Sequence, residues 1–351
     1  SVQYSPGSPF TCEFCDIIVI FGRRPRLKTS AQIIAELDAL RAQKLALVFI
    51  VDDNLIGNRK AIKEILAGVI DWQRRNGYPV MFFTEASIDL ADDEELMQLM
   101  VEANIGAVFV GIETPNEESL KEAKKLQNLR KGGSLAEKVR RIQDRGMEVW
   151  AGMILGFDND DEQIFSAQEK FLREARISTA MVGMLSAIPR TPLYDRLKQA
   201  GRLDEGDDPE HGTNVLPVHM TRETLSEGYV RLMAGLYEPQ AYFDRVDDLY
   251  RDGGIVIDRA WQGYALSHPW AHRAHQARLW LESFGLLLRI LARVPDRSLR
   301  RVYRRRFWSF FRARPEPSVL RIYALKCAIH WHMHKFVRRL TSTGKTLVNT
   351  Y

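Results

Sequence analysis

At 351 residues with 45% hydrophobic content, the chain is long enough for one domain of about 200 residues plus a smaller one. Three cysteines are too few for a disulfide framework and point to a reducing cytoplasm; no signal-peptide pattern is visible, and the apolar run FGLLLRILARV, broken by Arg289 and Arg293, falls short of the ~18–20 residues of a membrane span. The net charge of +5 is uneven: from Arg289 onward sixteen Lys/Arg face two acids, Asp296 and Glu316, leaving +14 there and −9 on the remainder, a contrast that suggests two regions with different partners.

In chain order, SVQYS reads as a short first strand. TSAQIIAELDALRAQK is helical, with Ile33, Ile34, Leu37 and Leu40 on one face and Thr29 and Gln32 spaced for a capping box. LALVFIV is a buried strand, RKAIKEILAGVIDWQRR a helix stopped at Asn76-Gly77, PVMFFTEA a strand and DDEELMQLMVEA a helix. GAVFVGIE, MEVWAGMILG and STAMVGMLSA continue the strands. SLAEKVRRIQDRG, with Ser134 and Glu137 placed for a second capping box, and DEQIFSAQEKFLREA supply helices, and a helix from about Pro192 closes the series. Six strand–helix units with mostly apolar strands predict an α/β fold of parallel topology, and their regularity favours a barrel or part of one. The pattern fails near GRLDEGDDPEHGTNV. We therefore expect a barrel over 1–205 and a basic, mainly helical region over 206–351. The chain opens at Ser1 directly on the first strand, so a fragment or processed form lacking an N-terminal domain is expected.

Chemistry in parallel β/α folds sits at the C-terminal strand ends. Those ends are polar here: Asp52-Asp53-Asn54, Glu85-Ala86-Ser87, Gly111-Ile112-Glu113-Thr114, and Gly156 with Asp158. A single acid at such a place often does no more than cap the following helix. Four together, on the face where the loop GSPFTCEFCDI carries Cys12 and Cys15, favour a site. The two cysteines admit three readings: a zinc site, for which four Cys/His ligands are wanting; a redox dithiol, whose small fold six strand–helix units do not suit; and an iron–sulfur cluster.

Taken with FIVDDNLIGN, TEASIDLADDEELMQLM, VFVGIETPNEESLKEAKKLQN and GMILGFDND, the loop resembles that of the radical S-adenosylmethionine superfamily, specifically the branch with an N-terminal cobalamin-binding domain that includes hopanoid C-2 methylase-like proteins. The resemblance spans nearly the whole chain. It implies a partial (β/α)6 barrel, a [4Fe–4S] cluster on a C-x3-C-x2-C loop, and S-adenosylmethionine that is cleaved to a 5′-deoxyadenosyl radical. Carried over by position, Cys12 and Cys15 are cluster ligands and Phe14 is the aromatic beside the last of them. Asp53 and Asn54 lie near the methionyl amino group, Ser87 and Glu113 near the ribose or aminocarboxylate, and Gly152, Ile154 and Gly156 form the strand beside the adenine. The chain departs from the pattern in three places. Ser8 stands where the first cysteine is expected, which implies an incomplete or labile cluster. Arg190 stands in PRTPLY where glycine is expected. Cobalamin has no domain here and would have to come from a missing one.

The implied activity is radical C-methylation of an unactivated carbon in a lipid-like or polycyclic substrate, with an external electron donor. The alternative is a cluster-deficient, non-catalytic relative that still binds S-adenosylmethionine or an anionic membrane. For the basic region, where RRVYRRRFWSFFRAR interleaves arginine with Trp and Phe, three partners compete: an anionic membrane surface reached peripherally from the cytoplasm, the acidic remainder of the chain, and, less favoured, nucleic acid. The histidines His268, His272, His275 and His330, His332, His334 are expected to be partly buried amphipathic side chains, with metal binding the lesser reading.

Overall fold

The computed structural model describes residues 1–129, 132–206, 210–257 and 259–343; residues 207–209 of the expected boundary loop and the terminal 344–351 lie outside the described residues. The elements are α1 (Ile17–Ile20), α2 (Ser30–Ala42), β1 (Leu47–Ile50), α3 (Arg59–Asn76), β2 (Met81–Glu85), α4 (Glu94–Glu102), β3 (Ile105–Glu113), α5 (Glu117–Glu122) and α6 (Leu135–Asp144). They continue with β4 (Glu148–Leu155), α7 (Gln163–Glu174), β5 (Thr179–Met184), α8 (Pro192–Gln199), α9 (Arg222–Leu236), α10 (Pro239–Asp247), α11 (Arg259–Ser267), α12 (Pro269–Arg293), α13 (Arg297–Ala313) and α14 (Pro317–Thr343).

The five strands form one parallel sheet in the order β1-β2-β3-β4-β5. Each strand pairs with the next in sequence through a helical crossover, the arrangement of a partial barrel. Both expected capping boxes are present, at Thr29/Gln32 and Ser134/Glu137, and Gly77 ends α3 in the left-handed conformation. The expected first strand shortens to a single parallel bridge, Val2 to Ile50. The cause is local: the Tyr4 and Ser5 amides donate to the Asp52 carboxylate (2.7–3.0 Å) instead of to a neighbouring strand, and Pro6 has no amide to donate.

One sheet face packs Val48, Val108, Val110, Val149, Ala151 and Val182 against the helices. The other carries a row of rings, Phe49 stacked on Phe83 at 4.7 Å and Trp150 tilted against Phe83 at 5.4 Å. The C-terminal helices share the same core and close the N-terminal ends of β4 and β5. There the buried Lys326 of α14 pairs with Glu148, which also accepts from Tyr250 (2.6 Å) and Ser178 (2.7 Å). An ion pair this deep is sustained by those extra hydrogen bonds and would be costly to break. His330 is buried too: its Nδ1 meets the Tyr303 hydroxyl at 2.6 Å and its Nε2 the Tyr237 carbonyl at 3.2 Å, and burial pushes its pKa down to about 4. It packs as a neutral ring, and among the described residues no three His, Cys, Asp or Glu form a group able to hold a metal ion.

Arg190 has φ +71°, in the left-handed region that disfavours residues with a Cβ. The backbone therefore keeps the conformation that the family pattern's glycine would adopt, with arginine in its place. Arg190→Gly is expected to stabilise the fold by about 0.5–1 kcal/mol, the relief of left-handed strain exceeding the added chain entropy. Urea unfolding of both forms would check the sign.

Candidate active site

The C-terminal strand ends and the loop of residues 7–15 enclose a cavity of about 220 Å³. Ser8, Cys12 and Cys15 line it from the loop, with Phe14 between the cysteines. Asp53 and Asn54 enter after β1, Glu85 and Ser87 from the end of β2, and Glu113 from the end of β3. A second cavity of about 350 Å³ adjoins it and shares Phe14, Phe109, Gly111 and Glu113; its remaining wall includes Gly152, Met153 and Ile154 of β4 and Met181 and Met184 of β5. Of the cofactor and cluster residues carried over from the family pattern, only Gly156 lies outside both. Its amide donates to Asp160 at 2.9 Å, its φ is +98°, and a Cβ there would meet Leu225 of α9 at 2.8 Å, so the glycine serves the packing of α9.

Asp53, Asn54 and Ser87 are held in place. Asp53 accepts from the Gly7 amide at 3.1 Å and so fixes the backbone next to Ser8. The Asn54 carbonyl accepts from the Ser87 amide at 3.1 Å and its amide donates to the Ser87 hydroxyl at 3.2 Å, locking two strand ends together. Two of the expected strand-end acids are structural instead. Asp52 is consumed by the amides of Tyr4 and Ser5. Asp158 binds Arg196 (2.6 Å) and Arg202 (2.7 Å), which outweigh its burial and hold its carboxyl below the usual range.

Arg196 ties the cysteine loop to the barrel. Its guanidinium meets Glu13, between Cys12 and Phe14, at 2.8 Å, Glu122 of α5 at 3.1 Å and Asp158 at 2.6 Å. Backbone bonds extend the attachment: the Glu13 amide donates to the Ala123 carbonyl (2.9 Å), and the Leu193 amide to the Glu13 carbonyl (3.1 Å).

At the end of β3 the register shifts between Gly111 and Glu113, and Glu113 takes φ +65°. Strain of this kind at a non-glycine residue persists where the surroundings over-determine it, as in ligand sites. Here the reward is an ion pair with Lys125 at 2.5 Å, inside space that a Cβ on Gly111 would fill, 2.3 Å from the Glu113 Oε1. Burial works against the Lys125 charge, but Glu113 and the two cysteines outweigh it and raise its pKa above the usual lysine value. The ammonium also sits 5.8 Å above the Phe14 ring, and Gln127 donates to the Cys12 sulfur at 3.5 Å. Burial raises the Cys15 thiol pKa. Glu13, Lys125, Gln127 and Arg196 are functional neighbours that the sequence reading did not single out.

Ser8, Cys12 and Cys15 thus bring two sulfurs and one hydroxyl to one cavity wall. This donor set fits an iron–sulfur cluster whose third ligand is weak. Cys327 lies buried in α14 in the core and supplies no further thiolate to the loop.

A site at the C-terminal ends of a parallel partial barrel, with a cysteine loop facing carboxylates, defines the class, and the comparisons agree. Residues 2–169 match the radical SAM superfamily, and the chain belongs to that family; residues 191–345 match a domain of unknown function, DUF4070. The chain is 41% identical over 302 residues to an uncharacterized methyltransferase of Synechocystis sp., covering 82% of this chain and 56% of the relative. It is 37% identical over 276 residues to the hopanoid C-2 methylase of Rhodopseudomonas palustris, covering 78% and 48%. The chain therefore spans about half the length of these curated relatives. Among solved structures, the cobalamin-dependent S-adenosylmethionine radical enzyme OxsB superposes with a TM-score of 0.52 at 15% identity, over 98% of this chain and 55% of that one. The likeness bears on fold alone.

Glu85 carries a pH signature. Burial, then Asp53 and Asp52, push its pKa from 4.5 up to about 7. Below 4.5 it is protonated folded and unfolded alike. Between 4.5 and about 7 only the unfolded chain ionises fully, so stability falls as pH rises through that window. Glu85→Gln is expected to flatten the fall, by on the order of 1–3 kcal/mol at pH 7. Unfolding midpoints of both forms from pH 5 to pH 8 would show it; parallel curves would contradict it.

Proposed function

We propose that residues 1–205 form the cofactor-binding barrel, and 206–351 the basic helical region, of a cobalamin-dependent radical S-adenosylmethionine methyltransferase acting on an unactivated carbon of a lipid-like or polycyclic substrate. The observation that carries this reading is the pair of adjoining cavities: one polar, with the cysteine loop, and one lined by Phe14, Phe109, Met153, Ile154, Met181 and Met184. The polar cavity suits the charged end of S-adenosylmethionine, and the apolar one suits an adenine face or a substrate without polar handles. The chain's similarity to a hopanoid C-2 methylase supports the substrate class.

When bound, the cluster and S-adenosylmethionine would supply the electron and the carbon radical that take hydrogen from a carbon with no acidic proton. Cys12 and Cys15 would hold the cluster by thiolates and Ser8 by its oxygen, with the electron coming from an external one-electron donor. Asp53 and Asn54 would receive the methionyl ammonium. Glu113 would bind the aminocarboxylate end or ribose through hydrogen bonds now made to Lys125, Ser87 would bound the same compartment, and Gly152 and Ile154 would offer a flat strand edge to the adenine. Cobalamin, as methyl carrier, would be bound by a segment outside these 351 residues. We also place the protein at the cytoplasmic side of a membrane through its basic helices, in preference to nucleic acid; among the described residues no helix is long and apolar enough to cross a membrane.

Ser8 favours a second reading, a cluster-poor relative. A serine hydroxyl is far less acidic than a cysteine thiol, whose reference pKa is ~8.5, and oxygen is the harder ligand. Anaerobic reconstitution separates the readings. The Ser8→Cys chain is expected to approach the full iron and sulfide content of a [4Fe–4S] cluster and to cleave S-adenosylmethionine reductively, and the Ser8 chain to do substantially less of both. Equal iron and equal cleavage would make Ser8 a competent ligand and remove this account of the loop; neither activity in either form would favour the cluster-poor relative.

A further inference from the structure

Two groups of cationic side chains stand out on the C-terminal helices. One is neutralised within the fold. Arg306 reaches Asp244 at 2.7 Å and Asp247 at 2.9 Å, Arg321 reaches Glu282 at 3.4 Å, Arg314 binds Glu316 at 2.6 Å, and Lys326 is buried on Glu148. The other lies at the start of α13. Arg297, Arg300, Arg301 and Arg304 recur at helical spacing and so share one face. With Leu291 of α12 they line a cleft of about 290 Å³, and among the described residues none of the four has an acid within ion-pair distance. The nearest acid in sequence, Asp296, is occupied in capping α13 through Ser298 (2.7 Å) and Leu299 (3.2 Å). Four guanidinium groups around one cleft repel each other until an anion arrives.

The same face continues into apolar surface. Trp308 lies one turn beyond Arg304 and is 42% exposed, its ring 6.1 Å from Phe284 of α12 and 5.4 Å from Phe311. On α12, Leu288 sits one turn from both Phe284 and Leu291 and is 66% exposed, and Leu281, two turns earlier, is 76% exposed. A row of unpaired arginines therefore runs beside a row of protruding leucines, joined by a tryptophan.

We propose that this α12–α13 face is a docking surface for a bilayer containing anionic phospholipids. The arginines take lipid phosphates in the cleft, a recognition for which the planar guanidinium is suited. Trp308, Leu288 and Leu281 enter the boundary between headgroups and acyl chains, as apolar residues of interfacial helices do. Charge complementarity selects an anionic partner, and the protruding leucines favour lipid over single-stranded nucleic acid, whose sites are built on stacking rings. The face rests on the membrane placement proposed above and shares no residue with the two cavities at the strand ends, so its test is separate from that of the methyltransferase reading.

The test uses the whole chain, floated with vesicles of phosphatidylcholine alone or with one third phosphatidylglycerol. Binding is expected only to the anionic vesicles, lost at molar salt because surface attraction is screened, and weakened about tenfold or more by Arg301→Glu with Arg304→Glu. Brominated acyl chains are expected to quench part of the tryptophan emission of the wild type and to lose that component in Trp308→Phe, while circular dichroism shows each variant folded. Equal binding to neutral vesicles, no binding to either, unchanged binding in the arginine variant, or quenching unaltered in Trp308→Phe would overturn the proposal. Displacement of the vesicles by a single-stranded oligonucleotide at equal phosphate would likewise overturn it, in favour of a nucleic-acid surface.

Discussion

The three-way ion pair of Arg196 is the constraint on which the site depends. A loop carrying two cysteines has no secondary structure of its own to hold it, since α1 begins only at Ile17. Arg196 supplies the fixed point by joining Glu13 in that loop to Glu122 on α5 and Asp158 beyond β4, and Arg202 braces Asp158 from the other side. Four segments distant in sequence meet at one guanidinium, whose planar fork can serve three carboxylates where an ammonium could not. The mouth of the barrel is thereby assembled around the loop before any cofactor is present.

The second constraint is charge. Glu113, Asp53 and Glu85 line a cavity that also holds two sulfurs, and desolvation penalises every added negative charge there. The chain answers with Lys125, buried and paired to Glu113, and with a Glu85 carboxyl that burial pushes up to about 7, so that it gives up its charge below neutral pH. The left-handed turn at Glu113 and the bare Cα of Gly111 are the backbone conditions for that pair. Asp53, which Lys125 does not pair with, leaves a carboxylate in the same cavity for a cationic ligand end.

Much of this was legible in the sequence. Apolar strands alternating with capped helices set the parallel topology, and the polar strand ends mark where the cavity lies. Asp53, Asn54, Ser87 and Glu113 come together there with Ser8, Cys12, Phe14 and Cys15. What periodicity could not separate was direction within a strand end: Asp52 and Asp53 are neighbours, yet the first turns to backbone amides and only the second lines the cavity. The short pairing of Val2 was hidden for a related reason, because a distant carboxylate competes for its neighbours' amides. Gln127 meets Cys12 and Arg196 meets Glu13 across more than a hundred residues, which leaves no local mark, and the nearer Lys125–Glu113 pair depends on the left-handed turn at Glu113, which periodicity does not show. Arg190 was legible as a departure, and its positive φ explains why glycine was the expectation.

The central claim is that the cavity holds S-adenosylmethionine against a cluster carried by Cys12 and Cys15. Electron–nuclear double resonance on the reconstituted, reduced chain, with S-adenosylmethionine isotopically labelled at its amino nitrogen, tests this directly. The account predicts a resolved coupling between the label and the reduced iron centre, diminished in Asp53→Ala. A paramagnetic centre with no coupling to the label would contradict it.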